Sequence, residues 1–396
     1  MTHTTLPERH LRVALYSHDA QGLGHIRRNL AIAHALRRSG SALDLLLLTS
    51  APEAAYAGRP SGCDIVSIPA LAKDERGRYH SRHLSVGSEH LIAMRQAVLH
   101  AALASFAPDV LIVDKHARGF RGELEPALEA VRQAGGRVVL GLRDVLDDAS
   151  VTVSEWKESR TTRALRNWYD EVWVYGDRRV HDPLEGIKVP GRVNVRYAGY
   201  LAHGRHGIEV VTPISGSPYV LAMVGAGSDG AHLARAFARA AMPEGHRGVI
   251  VSGPHMPEHD VDELRRLASG RPELRIVRSA HDAAALISGA AALVGMGGYN
   301  TVCEALAAAT PMLVVPRIAP RREQLVRARA LEARGAVDVL DPRALSSETV
   351  AAWAARATTA HAARAVSDLD LSGLARIPDF LADLVGTHRQ ESRHAA

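Results

Sequence analysis

The densest run of chemistry-bearing residues is Gly295-Met-Gly-Gly-Tyr-Asn-Thr-Val-Cys-Glu304, followed by Thr310-Pro-Met-Leu-Val-Val-Pro316 and Arg321-Arg-Glu-Gln324. An apolar stretch running into Gly297-Gly298 lets a ligand come close to the backbone, because no side chains stand in its way. Asn300 or Thr301 is placed to cap a helix that begins there. The free N–H groups and positive dipole end of such a helix suit a phosphate. Glu304 follows one turn later; ionised, it only accepts hydrogen bonds and fits the vicinal hydroxyls of a ribose. Gln324 offers both a donor and an acceptor. A second glycine turn, Gly225-Ala-Gly-Ser-Asp-Gly230, obeys the same helix-terminus logic. Arg317 and Arg322 can neutralise the same phosphates or stand as surface charges. These residues outline a nucleoside-diphosphate site: Gly225, Gly227, Ser228, Gly297, Gly298, Tyr299, Asn300, Thr301, Glu304, Arg322 and Gln324.

A different turn carries a candidate base. In Gly22-Leu-Gly-His25 the histidine opens a helix, where the dipole disfavours imidazolium and keeps the ring able to take a proton. His18, at the end of the preceding strand, is a rival, and with 21 histidines in the chain residue type alone decides nothing. His18, His116, Arg143 and Asp144 fall at or just beyond strand ends and are candidates for holding an acceptor. Arg143-Asp144 can equally form an internal ion pair. The charged stretch Lys73–Gly87 is either an acceptor loop or ordinary surface.

The elements that must position these residues alternate. Strand-like runs at Leu11–Tyr16, Leu43–Thr49, Val110–Val113, Arg137–Leu142 and Glu171–Tyr175 are separated by helical patterns, one with Ile26, Leu30, Ala33 and Leu36 on a single face. That half ends near Tyr197–Tyr200. Residues 202–218 show no period and read as a linker. A second alternation follows, with strands at Tyr219–Val224, Gly248–Ser252, Leu274–Val277, Ala292–Val294 and Met312–Val315. Its helices are expected at Ala231–Ala241, Thr301–Ala309 and Arg322–Arg334. The expectation is α/β: two Rossmann-like domains with parallel sheets facing a cleft, residues 1–201 and 219–386, the last helix returning to the first domain. Residues 387–396 read as a frayed polar tail. Ligands of such sheets bind at the strand C-termini, so both glycine turns and His25 belong at the cleft.

The segment Gly295–Gln324 resembles the donor half of GT-B glycosyltransferases, particularly the family 28 group containing the N-acetylglucosaminyltransferase that makes lipid II. The resemblance implies that Glu304 binds the ribose and that Gln324 contacts the donor sugar. The chain departs at Arg327, where the lipid II enzyme has Asn, so the sugar does not carry over. A wider set also resembles a bacterial group of predicted glycosyltransferases: Tyr16-Ser-His-Asp, Gly22–Asn29, Val113-Asp-Lys115, Gly141-Leu-Arg-Asp144, Val174-Tyr-Gly-Asp177 and Tyr197-Ala-Gly-Tyr200. Plant-type and antibiotic glycosyltransferases resemble the Gly22–His25 turn. There the matching histidine is the base and an aspartate after a later strand orients it, which implies Asp114 here. Asp114 can instead pair with Lys115 or Arg118.

Together these features imply an inverting, metal-independent transfer of a sugar from a UDP-, dTDP- or GDP-sugar to an acceptor hydroxyl. The acceptor would be a small molecule, a natural product or a cell-envelope glycan, and no cofactor is needed beyond that co-substrate. A 2-epimerase acting on nucleotide-sugars, or a non-catalytic subunit that binds them, shares the architecture. The net charge of +5 comes from an Arg-rich chain with acids interleaved, which reads as a solvated surface rather than a nucleic-acid footprint. Cys63 and Cys303 form no metal-binding or disulfide pattern. Met1–His10 lacks an apolar leader, and no run approaches the roughly 20 apolar residues of a membrane span. A cytoplasmic protein is expected, with peripheral membrane contact left open.

Overall fold

The computed structural model describes residues 10–18, 23–40, 42–56, 58–73, 79–205, 216–280, 282–359 and 368–394. In the first domain, strands β1 (Leu11–Tyr16), β2 (Leu43–Thr49) and β3 (Cys63–Ser67) precede a hairpin of β4 (Leu71–Lys73) and β5 (Tyr79–Ser81). Strands β6 (Val110–Asp114), β7 (Arg137–Arg143), β8 (Glu171–Tyr175) and β9 (Asn194–Tyr197) follow. Helices α1 (Gly24–Arg38), α2 (Ser88–Phe106), α3 (Glu125–Gln133), α4 (Ala149–Glu158) and α5 (Thr161–Trp168) lie between them. The main sheet is seven-stranded, in the order β3-β2-β1-β6-β7-β8-β9, with its pairs parallel. β6 and β8 are buried along their whole length, as strands covered by helices on both faces must be.

The second domain repeats the plan. Its sheet runs β12 (Leu274–Val277), β11 (Arg247–Val251), β10 (Tyr219–Met223), β13 (Ala292–Gly295), β14 (Met312–Val314), β15 (Asp338–Val339). The helices are α6 (Ala231–Arg239), α7 (Glu258–Ala268), α8 (Ala283–Ser288), α9 (Tyr299–Ala307), α10 (Glu323–Glu332) and α11 (Ser347–Thr359). Strand order reverses between β1 and β6 in the first sheet and between β10 and β13 in the second. These two switch points fix where ligands can enter.

Helix α12 (Gly373–His394) closes the chain and lies against α1. Its Phe380 meets Trp173 edge-on at 5.6 Å and carries the Arg196 guanidinium over its ring at 3.7 Å. The expected frayed tail is therefore helical through residue 394, since no proline or glycine after Gly386 stops it. Much of the expected linker, residues 206–215, lies outside the described residues, and so do residues 74–78 of the expected acceptor loop. What is described of that loop begins as the β4–β5 hairpin, not as irregular chain. Helices α1 and α9 touch, and one buried apolar cluster runs from Ile26 and Leu30 through Tyr299 and Val302. The domains thus share a packed seam beneath the two switch points.

Candidate active site at the domain seam

Strand β1 delivers Ser17 and His18 to the first switch point, and α1 starts just beyond it. Asp114 ends the neighbouring β6 and is almost fully buried. His25 Nδ1 lies 2.6 Å from Asp114 Oδ2, so Nε2 takes no part in that bond. Burial alone would push the Asp114 carboxyl up. Arg28 and His25 beside it hold it well below the usual carboxylate range. Asp114 therefore pairs with His25 and with Arg28, and not with Lys115 or Arg118.

His18 and His116 gather around this dyad. Their rings are 4.3 Å apart, and His18 is 5.5 Å from His25. Burial, then the neighbouring histidine ring (His25 for His18, His18 for His116), pushes both His18 and His116 well below the usual imidazole range, so both are neutral at pH 7. Nδ1 of His18 is buried without a hydrogen-bond partner. Lys115 adopts a left-handed backbone (φ 65°), and burial, then Arg143, brings its ammonium down to about 8.

Across the seam, β13 ends at the Gly297-Gly298 turn. Gly297 has φ 79°, and a Cβ there would sit 2.7 Å from Val314 Cγ1, so only glycine fits. At Gly298, which is half-buried, a Cβ would meet nothing within 4 Å. The helix begins at Tyr299 with Gly298 as its cap and no side-chain capping bond, which corrects the expected Asn300 or Thr301 cap. Asn300 is used elsewhere: its Nδ2 donates to Gly24 O at 2.9 Å, tying this turn to the residue before His25. Thr301 is buried one residue further on. The Tyr299 hydroxyl accepts from Leu201 N and belongs to the seam. In the adjacent turn, Gly225 and Ser228 are exposed, and Gly227 (φ 96°) would place a Cβ 2.2 Å from Ser252 O.

Glu304 is buried, not solvent-facing, and Arg27 Nη2 from α1 reaches its Oε1 at 2.5 Å. Arg205 Nη1 lies 3.5 Å from the same oxygen. Oε2 is buried without a partner, as are Asn300 Oδ1 and Arg205 Nη2. Gln324 accepts from Arg317 N at 2.8 Å and pins the segment ahead of α10.

The remaining expectations need correction. Asp144 does not face an open acceptor site: Arg327 Nε and Nη2 bind both its oxygens at 2.7–3.0 Å, with both residues almost fully buried. Arg143 pairs with Glu323 at 2.5 Å. Arg322 meets Asp148 at 3.0 Å, and Arg321 meets Asp147 and Glu155, so the Arg pair closes the domain boundary and is not left free for phosphate. Arg317 pairs with Asp229. Arg321 and Arg322 find acids because the loop after β7 places Asp147 and Asp148 against the segment before α10, whereas Arg317 finds Asp229 in the Gly225–Gly230 turn. The sequence reading missed Arg27, Arg28 and Arg205. The one signal for them was their place in or beside the quoted motifs.

Residues 221–365 match the model of the glycosyltransferase family 28 C-terminal domain. The similarity lies within the second domain. Among solved structures, CalG4, the calicheamicin glycosyltransferase, aligns at a TM-score of 0.59 and 16% identity, covering 97% of this chain and 98% of its own. MurG of Acinetobacter baumannii gives 0.54 and 16%, covering 95% and 99%. A putative UDP-N-acetylglucosamine 2-epimerase from Listeria monocytogenes gives 0.64 and 10%, covering 97% and 98%. At such identities the likeness is one of fold, and the fold is GT-B. A search of curated proteins finds no match to the chain. Among the described residues no helix is long and apolar enough to cross a membrane, and no group of His, Cys, Asp or Glu is placed to hold a metal ion.

Proposed function

We propose that the family 28 domain holds a nucleoside-diphosphate sugar and that the first domain activates an acceptor hydroxyl against it. The observation that carries this reading is the bond from Asn300 to Gly24 O. It joins the Gly298 turn to the residue preceding His25, so donor turn and base meet at one point of the seam. The N-terminus of α9 and the Gly225–Gly230 turn, on adjacent strands, receive the diphosphate through backbone N–H groups. Glu304 takes the ribose hydroxyls. One of them supplies the donor that Oε2 lacks, while Oε1 stays with Arg27. His18 and His116, neutral, hydrogen-bond the acceptor.

In the reaction, His25 Nε2 takes the proton of the acceptor hydroxyl as its oxygen bonds to the anomeric carbon. The bond from that carbon to the diphosphate breaks on the opposite face, and its electron pair leaves on the diphosphate. Helix N-termini stabilise that charge, so the step as written uses no metal. Asp114 stabilises the imidazolium. Inversion at the anomeric carbon follows, and NMR of the product shows it; a product with the donor's configuration refutes the single displacement. The nucleotide is a UDP-, dTDP- or GDP-sugar, and the reaction belongs to the cytoplasm, in keeping with two free cysteines far apart in the chain.

The Listeria neighbour, titled a putative 2-epimerase, favours a second reading. An epimerase turns over its nucleotide-sugar with no acceptor present, whereas the transferase leaves the sugar's configuration at C2 unchanged.

A further inference from the structure

Arg28 lies one helical turn after His25 on α1 and is 1% exposed, among the largest fully buried side chains of the protein. Its Nε lies 3.2 Å from Asp114 Oδ1, and its Nη2 lies 2.5 Å from Asp114 Oδ2. The same Nη2 is 3.1 Å from His25 Nδ1. The carboxylate that orients the histidine is therefore shared: Oδ2 takes one hydrogen bond from the imidazole and one from the guanidinium. A buried arginine is normally placed to match a planar carboxylate with its fork, and here the fork also borders the imidazole.

We infer that Arg28 is a positioning residue of the site, forming with Asp114 and His25 a three-member unit in which a fixed cation holds the aspartate and restrains the charging of the histidine. The inference rests on His25 being the base, and it deepens that assignment. Two consequences follow from the geometry. First, Asp114 cannot swing away from His25, because its two oxygens are held by different nitrogens of one rigid group. Second, when His25 takes a proton, the new cation forms beside Arg28 and shares one acid with it. The carboxylate thus stabilises the imidazolium less than it would alone, and His25 returns its proton more readily after each turnover. The guanidinium is in turn fixed by its surroundings, with the Tyr299 ring 5.6 Å from its carbon across the seam.

The groups facing His25 come from several elements. Asp114, Lys115 and His116 stand at the end of β6, and His18 follows β1. Arg28 is on α1 itself. Tyr175, on β8, acts electrostatically on both Arg28 and Asp114. Of these, Arg28 is the one full charge besides Asp114 within hydrogen-bonding distance of the ring.

The test needs no acceptor. Full-length protein labelled with ¹³C-histidine is titrated by NMR, and the His25 signal is assigned by its disappearance in His25→Gln. In Arg28→Gln, the titration midpoint of His25 is expected to rise by at least about one pH unit, a tenfold change in proton affinity. Arg28→Lys keeps the charge and should shift it by less than half as much. Because Arg28→Gln strands a buried carboxylate, Arg28→Gln with Asp114→Asn serves as the fold-preserving comparison, and its midpoint should fall below that of Arg28→Gln. A His25 midpoint identical in wild type and Arg28→Gln, in protein folded by circular dichroism, overturns the inference. If Arg28→Gln does not fold, the double variant is compared with Asp114→Asn alone: Asp114→Asn leaves the Arg28 charge unpaired beside the ring, so its His25 midpoint should be the lower of the two, and equal midpoints overturn the inference. If the midpoints move as expected but His25→Gln leaves sugar transfer intact, the unit stands and the assignment of His25 as base falls.

Discussion

The Arg327–Asp144 pair offers the sharpest check on how the domains are held together. Arg327→Met removes every hydrogen bond that Arg327 makes: Nε and Nη2 to the Asp144 oxygens and Nη1 to Gly297 O at 3.0 Å. Asp144 is left buried, with the Val145 N–H at 2.8 Å as its remaining hydrogen bond. Removing one partner of a buried pair costs about 3–5 kcal/mol, because the surviving charge stays unpaired. With a denaturant slope of about 3 kcal/mol per M, the urea midpoint should fall by roughly 1–1.7 M. The double variant Arg327→Met, Asp144→Asn removes both charges and should regain more than half of the loss. Unfolding is followed by fluorescence, with Trp156, Trp168 and Trp173 reporting on the first domain and Trp353 on the second. Both domains' signals should shift, since the pair spans them. Arg343→Ala, at the exposed Arg343–Asp341 pair, is the silent control. A loss below about 1 kcal/mol for Arg327→Met, or a double variant no more stable than the single, refutes the reasoning.

Other outcomes bear on the donor side and on pH. Gly298→Ala should leave stability within about 0.5 kcal/mol, because its Cβ meets nothing. It should weaken UDP, dTDP or GDP binding at least about tenfold in calorimetry, by filling the space given to the diphosphate; unchanged affinity moves the diphosphate elsewhere. Arg27→Ala removes a partly exposed partner of Glu304 Oε1, leaving Arg205 beside that oxygen and Oε2 to the ribose, so nucleotide affinity should change by less than about fivefold; a larger loss would make Arg27 a direct ligand. The Lys115 ammonium is at about 8 when folded and at its ordinary 10.5 when unfolded, so above pH 8 the unfolded chain holds more protons. Stability should therefore rise with pH between 8 and 9 by up to about 1.4 kcal/mol per unit relative to Lys115→Met. Parallel urea-unfolding curves for the two proteins over that window contradict it.

The strands were legible because their signal is local. Leu11–Tyr16, Leu43–Thr49, Glu171–Tyr175 and Leu274–Val277 are strands with the bounds read from their apolar runs. The glycine turns were legible too, since Gly297 and Gly227 occupy conformations and clearances that other residues cannot. What the sequence hid was pairing. Asp144 and Arg327 are 183 positions apart, and nothing near either residue announces the other. Arg143-Asp144 read equally as acceptor ligands or as an internal ion pair, and the second domain brings Glu323 and Arg327 against them instead. Asn300 looked like a helix cap because capping is a local rule; its use on Gly24 depends on how the domains meet. Arg28 was passed over for the same reason, since a helical arginine usually reads as surface, and its burial follows from Asp114 on a distant strand.

The central claim is that the Gly298 turn and Glu304 hold a nucleoside diphosphate at the seam. Thermal unfolding of the wild type and of Glu304→Ala, each with UDP, dTDP, GDP and their sugars, tests it most directly. The account predicts that one nucleotide class raises the melting temperature of the wild type and that Glu304→Ala loses the effect while remaining folded. Stabilisation by none of them, or stabilisation that survives in Glu304→Ala, contradicts it.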